Sequence, residues 1–103
     1  MKIIIVNTNK AKIPAVNFDA IKNAILGTDY KLAFIITNPR TIRKYNATYR
    51  GQNKSTDILS FPYSKSEGEI YICPSETKKE AVKFARTYDN FFAYLFIHGC
   101  THL

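Results

Sequence analysis

Thr56-Asp57-Ile58-Leu59-Ser60-Phe61-Pro62-Tyr63-Ser64-Lys65-Ser66-Glu67-Gly68-Glu69-Ile70-Tyr71-Ile72-Cys73 is the stretch whose reading decides the fold. Thr56 to Phe61 has the pattern of a strand, closed by Pro62, which has no N–H to give to a ladder. Tyr63 to Gly68 reads as a turn and Glu69 to Cys73 as a second strand, so the two form a hairpin. Upstream, Ile3 to Val6 is a continuous β-branched run, the pattern of a strand buried on both faces. Lys31 to Thr37 (KLAFIIT) is another buried strand.

Helical segments lie between and after these strands. Asn17 is a good N-cap, Phe18, Ile21 and Ile25 follow at helical spacing, and Gly27 supplies the stop. Asn38-Pro39 reads as an N-cap with proline at the first helical position. That short helix carries Ile42 and Tyr45 inward and ends near Asn46. Thr77-Lys78-Lys79-Glu80 matches a capping box, with Ala81, Ala85 and Tyr88 repeating on one face behind it. Asp89 to Leu103 is apolar almost all round, as expected of a helix packed in the middle of a domain. The order is β-α-β-α-β-β-α-α, an α+β or mixed α/β fold with about four strands in a mixed sheet and helices packed on it.

The 103 residues suffice for one core and not for two, so residues 1–103 are read as a single domain. A hydrophobic fraction of 46% and a charged fraction of 22% exclude a disordered or fibrous chain. The formal charge of +7 favours a polyanionic partner, a nucleic acid or an acidic surface, although lysines also serve solubility alone. Cys73 and Cys100 lack CxxC spacing and read as small buried hydrophobes in a reducing compartment. The amino-terminal run Met1 to Val6 is too short for a signal-peptide core, and Phe91 to Ile97 is far too short to span a bilayer. A cytoplasmic location is expected.

The chemistry concentrates in His98-Gly99-Cys100-Thr101-His102-Leu103. Histidines at i and i+4 share one helix face, with Cβ atoms about 5–6 Å apart, so both imidazoles can hold one metal ion. The same spacing is also met as two helix histidines with no metal. Cys100 projects to a different face and is a poor third ligand. Gly99 stands where a zinc protease has its glutamate base, which disfavours that reading. Arg50, placed by this reading in a loop between a helix and a strand, can hold a phosphate bidentately. The alternative is a surface arginine.

Three blocks together resemble the YbeY family of metal-dependent endoribonucleases: YRG at 49–51 with TDILSFP at 56–62, GEIYIC at 68–73, and HGCTHL at 98–103. The resemblance covers essentially the whole chain. It implies a single-strand-specific endoribonuclease acting in ribosomal RNA maturation and ribosome quality control, with RNA and the ribosome as partners and neither membrane nor DNA. By position, His98 and His102 match two ligands of a metal, usually zinc, and Arg50 matches an arginine needed for activity. Thr56, Asp57, Ser60, Phe61 and Pro62 match the block that builds the cleft wall beside the metal. Lys44, Lys54 and Lys65 are expected to track the RNA backbone. The family's third histidine would fall beyond Leu103, so the domain is expected to be incomplete at its carboxyl end and its turnover impaired. Two other readings stay open, a non-catalytic RNA- or ribosome-binding module and a metal-dependent hydrolase of another substrate.

Overall fold

A computed structural model describes residues 3–103; Met1 and Lys2, part of the amino-terminal run read for a leader, lie outside the described residues. The elements are β1 (Ile4–Asn7), α1 (Phe18–Leu26), β2 (Lys31–Ile36), α2 (Pro39–Arg50), β3 (Ile58–Ser64), β4 (Glu67–Ile72), α3 (Pro74–Lys83) and α4 (Tyr88–Thr101). They form one four-stranded sheet in the order β1-β2-β4-β3. β1, β2 and β4 run parallel, and β3 pairs antiparallel with β4. The expected class and element order therefore hold.

Strand alternation splits the hydrophobic residues between two faces. Leu32, Phe34 and Ile36 of β2 and Ile70 and Ile72 of β4 face α1 and α4. There Phe18, Phe34, Phe92 and Phe96 meet at centroid distances of 4.7–6.0 Å and interplanar angles of 54–72°, the tilted packing aromatic cores favour. On the other face α2 lays Ile42 and Tyr45 over Leu59, Phe61, Tyr71 and Cys73. Both cysteines are free and buried, as read. Among the described residues no helix is long and apolar enough to cross a membrane.

Several local expectations need correction. β1 is not buried on both faces: it is an edge strand, and Ile4, Ile5 and Val6 remain 64%, 41% and 42% exposed. Asn17 caps α1 by accepting from the Ala20 N–H, and Gly27 ends the helix at φ +92°, yet Lys22 is buried where Ile25 was expected. Asn38 caps α2 as read, but the helix runs on past Asn46 to Arg50 and ends at Gly51, which takes the left-handed conformation at φ +67°. Pro62 lies inside β3 rather than closing it. β3 is the other sheet edge, where a missing N–H costs no ladder bond, and the register shifts between Pro62 and Ser64. The turn narrows to Lys65-Ser66.

Thr77 starts no helix. α3 begins at Pro74, and the buried Thr77 hydroxyl donates back to the Cys73 carbonyl at 2.8 Å. Ala85 sits at φ +54° in the sharp link from α3 to α4, so it does not extend the face of Ala81. Thr87 caps α4 by accepting from the Asn90 N–H. α4 is buried through Phe91, Phe92, Leu95, Phe96, Gly99 and Cys100, but it leaves Tyr94, Ile97 and both histidines exposed. Its end is also better satisfied than an uncapped terminus, since the His102 and Leu103 N–H groups donate to the Gly99 and Cys100 carbonyls.

Candidate active site

α4 reaches the sheet at Gly99. A Cβ built there would lie 3.0 Å from Ile58 Cδ1 and 3.2 Å from both Ile70 Cδ1 and Ser60 Oγ, so only the bare backbone lets the helix come this close. Ser60 fixes the contact by donating its hydroxyl to the Gly99 carbonyl at 3.0 Å. The docking leaves His98 and His102 on the open side of α4, above β3. Their Nε2 atoms are 3.0 Å apart and their ring centroids 4.4 Å apart.

This geometry suits a shared metal ion, because two imidazoles each about 2.0–2.1 Å from a tetrahedral zinc have nitrogens about 3.3 Å apart. Among the described residues no group of three or more His, Cys, Asp or Glu side chains is placed to hold a metal. Cys100 is a poor third ligand, since its side chain is buried in the core cluster while both histidines are exposed; that burial pushes its thiol up to about 12.

The histidine pair opens on a cleft of about 860 Å³ whose lining includes Arg50, Thr56, Asp57, Ser60, Arg86 and Tyr94. Arg50 is exposed and stands on the last turn of α2, not in a loop, so its base is held by helix. The loop from Gly51 to β3 is tied to that helix by the buried Asn46, whose amide donates to the Lys54 carbonyl at 2.9 Å. Asp57 is partly buried. Desolvation first, and then the charge of Glu80, raise its carboxyl above the ordinary carboxylate value, against hydrogen bonds from the backbone and Thr56 that lower it.

Of the residues singled out in the sequence, Arg50, Thr56, Asp57, Ser60, His98 and His102 are brought to one cleft. Phe61 is not among its lining residues. Alternation along β3 turns it to the opposite face from Ser60, where its ring meets Tyr49 at 5.3 Å and Tyr71 at 5.7 Å. Lys54 lies at a neighbouring hollow with Asp57, Glu76 and Glu80 rather than in the cleft itself. Lys44 and Lys65 do not line the cleft. Sequence reasoning missed Asn46, Phe84, Arg86, Phe91 and Tyr94; the exposed ring of Tyr94, one turn before His98, was the available signal.

Residues 3–103 match the family described as Endoribonuclease YbeY. A relative of that name from Petrotoga mobilis is 32% identical, covering 100% of this chain and 78% of its own length. Relatives of the same name from Sulfurimonas denitrificans and Neisseria gonorrhoeae are 36% and 34% identical over 74% and 84% of this chain, which spans 58% and 56% of their lengths. In structure, a Thermotoga maritima protein solved in solution is similar, with a TM-score of 0.67 and 28% identity over 94% of this chain and 68% of that one. With the family matched over residues 3–103 and a relative 32% identical across the whole chain, the chain belongs to the endoribonuclease YbeY family.

Proposed function

We propose that this chain is a metal-dependent endoribonuclease that cuts single-stranded RNA, with ribosomal RNA as substrate and the ribosome, in the cytoplasm, as the setting. The observation that supports the reading is that the His98 and His102 imidazoles and the Arg50 guanidinium line one cleft. Zinc is the metal proposed, held by His98 Nε2 and His102 Nε2. When bound, such an ion supplies Lewis-acid stabilisation of a phosphoryl oxygen and lowers the pKa of water.

The remaining work belongs to the protein. Arg50 binds the scissile phosphate and offsets the charge that grows on it in the transition state. Ser60, by holding the Gly99 carbonyl, fixes the turn of α4 that carries both imidazoles. Asp57 lines the same cleft, where desolvation and then the charge of Glu80 raise the affinity of its carboxyl for a proton.

The test is cleavage of a labelled single-stranded ribosomal RNA fragment with zinc in excess, because the described residues supply two of the three protein ligands usual for a catalytic zinc. Slow zinc-dependent cuts, impaired by the two-histidine ligand set and lost with chelator and in Arg50→Ala, are expected. RNA left intact at every zinc level would overturn the assignment. That same two-ligand set, with the +7 charge, favours one alternative, an RNA-binding module without catalysis. It predicts salt-dependent RNA binding indifferent to chelator and to His98→Ala.

A further inference from the structure

The α4 side of the cleft is aromatic in an unusual way. Phe84 and Phe91 lie 5.6 Å apart at 23°, Phe91 and Tyr94 5.7 Å apart at 22°, and Tyr94 and His98 6.0 Å apart at 13°. The four core phenylalanines meet at 54–72°, whereas these four planes are nearly parallel in succession and form a strip that ends at the histidine pair. Phe91 is its buried footing; Phe84 is 63% exposed and Tyr94 44%. The Arg86 guanidinium sits over the strip, 4.7 Å from the Tyr94 ring and 6.0 Å from that of Phe91.

Exposed apolar rings gathered inside a concave, partly cationic site call for a ligand, unlike isolated surface aromatics. Flat π-surface suits a planar aromatic ring, and an adjacent guanidinium suits an anion. A nucleobase on its phosphate chain offers both. We infer that Phe84, Tyr94 and Arg86 form a stacking subsite that holds one unpaired nucleobase of RNA beside the bond presented to the histidine pair. The inference rests on the RNA-cleaving reading. It also gives strand selection a physical cause: a base inside a duplex has both faces covered by its neighbours and cannot lie on the strip without leaving the stack.

The chain contains no tryptophan, so Phe84→Trp places a single indole reporter on the strip. Its emission is expected to fall on titration with a short oligouridylate and to stay constant with inorganic polyphosphate, which has the charge and no base. Phe84→Ala and Phe84→Leu, both checked for an unchanged thermal melt, are expected to weaken oligouridylate binding by roughly 5- to 100-fold in anisotropy titrations. Tyr49→Trp is the comparator, since Tyr49 is 65% exposed on the opposite face of the sheet. RNA binding that leaves the indole at position 84 unquenched, quenching confined to Tyr49→Trp, or an unchanged affinity in Phe84→Leu would overturn the subsite and leave the RNA reading standing. An unaltered chain that binds no oligouridylate at low salt would remove both.

Discussion

A glutamate after His98 would make a protease-like motif, and the packing at Gly99 disfavours any side chain there: a Cβ would meet the Ile58, Ile70 and Ser60 side chains at 3.0–3.2 Å. Gly99→Ala is predicted to cost about 1–3 kcal/mol in urea unfolding, as the two isoleucine ends shift to make room. An unchanged midpoint would show the contact to be slack. Asp57 yields a pH prediction. Its folded carboxyl titrates above the ordinary value of 3.8, so the native state binds this proton more tightly than the unfolded chain does. Stability from this group is then fullest below the unfolded pKa and declines as pH rises through the folded one. Asp57→Asn is expected to flatten that decline and raise the melting temperature at neutral pH; a lower melting temperature there would contradict it. At this scale the histidine pair was legible, because helical spacing alone puts i and i+4 side by side. Phe84 and Arg86 were not, since their place in the cleft depends on the sharp link at Ala85, at φ +54°.

The element whose reading mattered most is α2. Stopping it near Asn46 put Arg50 in a loop, whereas the helix continues to Gly51 and gives the arginine a rigid base. Asparagine often ends helices, and nothing local reveals that this one is buried and turned to the following loop, where it donates to the Lys54 carbonyl. Asn46→Ala is predicted to cost about 1 kcal/mol, the net worth of the hydrogen bond lost to the Lys54 carbonyl. Hydrogen exchange should quicken at Gln52, whose N–H donates to the Asn46 carbonyl. Equal exchange in variant and parent would mean the loop is held by other contacts. The false capping box at Thr77 teaches the same lesson: hydroxyl and carboxylate at the right spacing also occur inside a helix, where Thr77 donates to the Cys73 carbonyl.

For the whole molecule, the order of strands and helices could be read from the chain because each element has its own periodicity. The sheet order β1-β2-β4-β3 could not, because which strand lies at an edge depends on crossovers between distant segments. That is why the β-branched run at Ile4 to Val6 passed for a central strand. The +7 charge acts at this scale too: RNA affinity is expected to fall linearly in log–log form with salt, and a flat response would exclude phosphate contacts as its source. The central claim is that α4 presents a metal to the cleft through two histidines. A calorimetric zinc titration of the chain beside His98→Ala and His102→Ala tests it most directly. Binding of one zinc per chain, lost in both variants while their thermal melts stay in place, is the predicted result. A zinc isotherm identical in all three proteins would contradict the claim.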